Sequence, residues 1–75
     1  MQDMRLLIAV GAYNERVNGL IKDGYQTSFV HESDGLHFTK LVHRNGNRVT
    51  VRFSEKDGYL SQSTNGQTVF CHKVY

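Results

Sequence analysis

The sequence predicts an α+β fold: an N-terminal amphipathic helix packed on one face of a five-stranded antiparallel β-meander. Three observations predict it. Apolar residues recur at helical spacing through the first third of the chain. Period-two alternation of β-branched and aromatic residues takes over from Tyr25 onward. Asp34-Gly35, Asn45-Gly46 and Asn65-Gly66 then punctuate that alternation as hairpin turns. The expected elements are a helix at about 3–23 and strands at about 25–32, 36–44, 48–54, 59–63 and 67–74, forming a single domain over 1–75.

The helix is read from Leu6, Val10, Tyr13, Val17, Leu20 and Ile21, which fall on one stripe. Gln2 or Asp3 caps its start, and Lys22-Asp23-Gly24 stops it, with Gly24 in the left-handed position. Gly11 and Gly19 fall on the outer side near Ile8 and Glu15. Glycine costs a helix interior about 0.5–1 kcal/mol relative to alanine. Neutral drift in a surface helix accounts for that cost; close approach of a partner backbone, such as a second copy of the chain, is the alternative.

The strands carry the rest. Asp34-Gly35 pairs His31 with Phe38 and Thr27 with Val42. Read as a two-residue loop, Asn45-Gly46 pairs Val42 with Val49 and Phe38 with Phe53. Alternation then directs Phe29, Phe38, Val42, Val49, Val51 and Phe53 toward the helix. The opposite face receives His37, Thr39, Leu41, His43, Arg48, Thr50 and Arg52, and no carboxylate occurs between Asp34 and Glu55. After the Glu55–Gly58 turn, Leu60 opposes Phe53; Asn65-Gly66 then directs Val69 and Cys71 inward and Phe70, His72 and Val74 outward. On this reading the far face also holds Val30, Leu41, Tyr59, Phe70 and Val74, a second surface for a partner.

Composition bounds the function. Seventy-five residues bury only a small core, so association with a second chain is expected. A net charge of +2 permits nucleic-acid binding without requiring it. The single cysteine, Cys71, excludes an internal disulfide. Leu6–Val10 is too short an apolar run for a secretory signal, and no run approaches the ~20 apolar residues of a membrane span. The expected location is cytoplasmic, with no membrane partner.

The residues offer little catalysis. His37 and His43 share a face but stand six residues apart, roughly 20 Å on one strand. His31 points the other way and His72 lies on a distant strand, so no metal site and no cofactor are expected. Cys71 reads as an inert buried thiol, and Asp34, Glu55 and Asp57 serve turns. The candidate nucleic-acid-binding residues are His37, His43, Arg48 and Arg52. The candidate partner or dimer surface is Ile8, Gly11, Glu15, Gly19, Leu41 and Phe70.

Leu20-Ile21-Lys22-Asp23-Gly24-Tyr25, followed by the His37–Val51 hairpin, resembles the opening half of HicA-type toxins. That resemblance implies a double-stranded-RNA-binding-like fold and RNA cleavage by a histidine in a Gly-Ser-His element. His37 is the matching residue here, preceded by Gly35-Leu36 in place of Gly-Ser, and the chain ends in strands where the family has a helix. In size and build the chain also resembles phage and mobile-element inhibitors such as anti-CRISPR proteins. The leading expectation is therefore a non-enzymatic protein that binds another protein as an inhibitor or regulator. The alternatives are a nucleic-acid-binding module using the basic sheet face and a HicA-like ribonuclease.

Overall fold

A computed structural model describes residues 4–74. It contains one helix, α1 (Met4–Lys22), and five strands: β1 (Tyr25–Ser33), β2 (Leu36–His43), β3 (Arg48–Ser54), β4 (Tyr59–Thr64) and β5 (Gln67–Lys73). The strands form one antiparallel sheet in sequence order, with α1 against one face. This is the expected architecture. The expected Gln2 or Asp3 cap lies outside the described residues.

Ala9, Tyr13 and Leu20 bury the inner stripe of α1, and Leu6, Val10 and Val17 flank them. Ile21, expected on the stripe, is 46% exposed. It sits about 100° around the helix from Leu20, and only Leu20 reaches the core. The helix ends as its sequence predicts. The Asp23 N–H donates to the carbonyls of Gly19 and Leu20, the Gly24 N–H donates to Ile21, and Gly24 takes φ 100°. A Cβ on Gly24 would stand 2.9 Å from Nε2 of His43, so the chain reversal also needs a missing side chain.

The hairpin between β2 and β3 departs from expectation, and the departure decides what the sheet displays. At Asp34-Gly35 and Asn65-Gly66 both residues have positive φ, as a two-residue type I′ loop requires. At Asn45-Gly46 only Gly46 does, with φ 96°. Arg44, Asn45 and Gly46 therefore form a three-residue loop ending in a left-handed glycine. The Gly46 N–H donates to the His43 carbonyl and the His43 N–H to the Asn47 carbonyl, both at 2.9 Å. The Asn45 side chain accepts the Asn47 N–H at 2.9 Å.

One extra loop residue shifts the register by one and exchanges the faces of β2. Leu41 pairs with Val49, Val42 with Arg48, Phe38 with Arg52 and His37 with Phe53. The inward set is therefore His37, Thr39 and Leu41 with Val49, Val51 and Phe53. The expectation for β3 holds, and the expectation for β2 is reversed. Strand β1 follows β2: His31 does pair with Phe38, so Phe29 is carried outward and is 51% exposed.

Each edge strand contains one irregularity. Ser28 is unpaired between Thr27 and Phe29, so Gln26, not Thr27, opposes Val42. Val69 is unpaired between Thr68 and Phe70, which brings Phe70 rather than Val69 toward α1 and leaves Cys71 exposed. Both corrections have one cause, an added residue that inverts the alternation beyond it. In a chain without proline, these bulges also interrupt the two sheet edges.

The core is small. Ala9, Tyr13, Leu20, Leu41, Val49, Val51, Phe53 and Leu60 are buried, together with polar His37, Thr39 and Gln62. Each of those polar side chains has a partner. Tyr13 Oη and Thr39 Oγ1 are 2.6 Å apart, Arg16 Nε donates to Gln62 Oε1 at 2.5 Å, and Nε2 of His37 lies 2.5 Å from Oε2 of Glu55. No helix among the described residues is long and apolar enough to cross a membrane.

Candidate functional site

The face of the sheet turned away from α1 follows from this register. Across β1, β2, β3 and β4 it runs as three successive rows: His31, Phe38, Arg52 and Ser61; then Phe29, Lys40, Thr50 and Ser63; then Gln26, Val42 and Arg48. Tyr59 and Lys73 pair with each other further along the same face, and Tyr59 is 46% exposed.

Among the described residues this face carries Lys40, Arg48, Arg52 and Lys73 and no carboxylate. Glu15 is on the helix, Asp23 at its end, and Glu32 pairs with His37 on the helix side. Asp34, Glu55 and Asp57 occupy turns. Lys40 lies diagonally between Arg48 and Arg52, because its direct partner is Thr50. Diagonal neighbours stand about 7–8 Å apart. None of these three cations forms an ion pair among the described residues. A hollow of about 390 Å³ lies between Lys40 and Arg48, lined also by Ser28, Val42 and Thr50.

Aromatic rings border the cations. The His31 and Phe38 rings stack at 4.8 Å with a 13° interplanar angle, and Phe29 stacks on Phe38 at 5.8 Å and 28°. The Lys40 ammonium stands 5.9 Å from the Phe38 ring centroid, within reach of its face. Meanwhile the inner face accepts a histidine, a threonine and a glutamine. Rings outside and polar groups inside oppose the usual partition of a half-buried sheet. Such local contradictions concentrate at functional surfaces.

The residues expected to bind nucleic acid therefore separate. Arg48 and Arg52 are on the open face as expected, whereas His37 and His43 are on the helix side, His37 being only 9% exposed. The three-residue loop is the reason. Phe29, His31, Phe38 and Lys40 join the arginines and were not among the expected site residues. The signal in the sequence was the stretch without carboxylates from Gly35 to Ser54, read with the opposite parity for residues before Arg44.

The expected partner surface also separates. Ile8, Gly11, Glu15 and Gly19 are exposed on α1, and a Cβ on either glycine would meet nothing within 4 Å. Leu41 is 1% exposed and belongs to the core. Phe70 packs beneath α1, with the Arg16 guanidinium 5.3 Å from its ring centroid.

A second polar site lies between α1 and β1, a cleft of about 290 Å³ lined by Tyr13, Asn14, Glu32, His37 and Thr39 among others. An ionised carboxylate only accepts hydrogen bonds, so His37 Nε2–H donates to Glu55. Its Nδ1 faces Glu32 Oε1 at 3.8 Å. The Tyr13 phenol is held above its ordinary pKa of 10.0 chiefly by burial; the Thr39 hydrogen bond opposes this and the Glu32 charge adds to it. A ribonuclease using His37 would need its nitrogen beside a phosphate. The cleft supplies no lysine or arginine and places a carboxylate against that nitrogen.

Among the described residues no three His, Cys, Asp or Glu side chains are grouped to hold a metal ion. Comparison of the chain with protein-family models, curated proteins and solved structures gives no match.

Proposed function

We propose that the protein binds nucleic acid on the open face of its sheet. The observation that carries this reading is the segregation of charge: Lys40 with Arg48 and Arg52 at its two diagonals, and no carboxylate on their face among the described residues. Adjacent like charges repel in the free protein. A polyanion relieves that repulsion, and released counterions favour its binding. Ser61, Ser63 and Thr50 on the same face supply hydroxyl donors for phosphate or sugar oxygens. No chemical step is assigned to this face, and the protein is read as a binding module rather than an enzyme.

An acidic protein surface is the competing occupant, and the inhibitor expected from the sequence would use the face in that way. Anisotropy titration of a labelled mixed-sequence oligonucleotide, with polyglutamate as competitor, separates the two. The expected result is binding at low salt, with log K falling linearly against log salt and polyglutamate competing poorly. Arg52→Ala and Arg48→Ala should each lower that slope by about one. No binding at low salt, or equal preference for polyglutamate, contradicts the reading.

A further inference from the structure

Resting on that reading, we infer that the ligand is single-stranded, with an unpaired base seated on the Phe29–His31–Phe38 ring cluster and an adjoining phosphate held between Lys40 and Arg48. The cations alone would serve a duplex or a single strand equally, because both offer phosphates. The rings discriminate. They form a continuous stacked group at the β1–β2 margin of the face, and Phe29 at that margin is 51% exposed. A duplex keeps the faces of its bases inside its own stack, and only an unpaired base can lie on an aromatic ring.

The rows supply the geometry. Phe29 stands directly opposite Lys40, and the hollow bounded by Lys40, Arg48, Thr50 and Ser28 begins beside that pair. Successive rows on a face are two residues, or about 6.6 Å, apart along a strand. A base on Phe29 thus places its own backbone over Lys40 and the next sugar–phosphate toward Arg48. The bulge helps to shape this hollow: unpaired Ser28 turns its hydroxyl to the Lys40 carbonyl at 3.1 Å. Ser28 interrupts the pairing between Thr27 and Phe29 and lines the hollow together with Val42. Because every base has a stackable face, the recognition is tolerant of sequence.

The test compares one labelled strand, free and annealed to its complement, by anisotropy on the intact protein. The expected result is at least tenfold tighter binding of the free strand. Phe29→Leu removes the ring at an exposed position and keeps an apolar side chain; it should weaken single-strand binding between about fivefold and a hundredfold with an unchanged salt slope. Phe29→Tyr should restore it. Lys40→Ala should instead lower the slope. Equal affinity for strand and duplex, or full affinity in Phe29→Leu, overturns this inference while leaving nucleic-acid binding in place. Absence of binding to either form overturns both.

Discussion

Phe38 stands directly across from Arg52 on the uncovered face of the sheet, although its hydrophobicity would place it beneath the helix. Leu41 takes the inward place instead, opposite Val49. The three-residue loop at Arg44–Gly46 makes this exchange, and it assembles rings and cations on one surface.

The exchange can be checked by stability. Leu41→Ala removes a side chain that is 1% exposed and should cost about 2–5 kcal/mol. Val42→Ala, at a half-buried position on the open face, should cost less than half as much. Urea unfolding of the two variants measures the difference. A larger loss for Val42→Ala would restore the two-residue loop and dissolve the proposed surface.

The loop itself gives a second check. Gly46 has φ 96°, and no side chain crowds the position a Cβ would occupy. Gly46→Ala should therefore cost about 1–2 kcal/mol from backbone conformation alone. Asn45 lacks a positive φ, so Asn45→Ala should lose only its hydrogen bond to Asn47, about 0.5–1.5 kcal/mol. Denaturant midpoints with unchanged slopes would report both; a costlier Asn45→Ala would contradict the loop geometry.

Much of the fold was legible in the sequence because its signals are local. The helix stripe, the glycine stop at Gly24 and the β1–β2 and β4–β5 turns each lie within a few residues. The face of β2 was not legible by that means. Leu36, Phe38 and Val42 argue for one parity and Leu41 for the other, while Asn-Gly suits either loop length. What settles the parity is long-range: Thr39 meets Tyr13 and His37 meets Glu55. The Ser28 and Val69 bulges have no compositional mark at all, and the second of them determines which way Phe70 and Cys71 point. The candidate site lies in the same blind spot: its arginines on β3 are legible, whereas Lys40 and the rings share the parity that the local signals turn toward the core.

The polar layer beneath α1 should behave as a packed unit. Glu55→Ala leaves the buried His37 nitrogen without this acceptor and should cost about 1–3 kcal/mol. Combined with His37→Phe, the losses should be less than additive. Strict additivity by urea unfolding would indicate that the 2.5 Å approach contributes nothing.

Tyr13 sets an alkaline limit. Its pKa is raised in the folded state, so the native protein holds the phenol proton more tightly than the unfolded chain does. The resulting stability is complete below the ordinary value of 10.0 and is lost as pH rises through the higher folded value. Tyr13→Phe should flatten this decline while lowering stability at neutral pH by about 0.5–1.5 kcal/mol through loss of the Thr39 hydrogen bond. An undiminished alkaline decline in the variant would assign it to other groups.

The claim that the open face is the working surface is tested most directly by amide and side-chain chemical-shift mapping during titration with an unlabelled single-stranded oligonucleotide. The account predicts saturable shifts at Phe29, Phe38, Lys40, Arg48 and Arg52, with Ile8 and Glu15 on the outer side of the helix unmoved. Shifts centred on the helix or on the His37 cleft, or none at low salt, would contradict it.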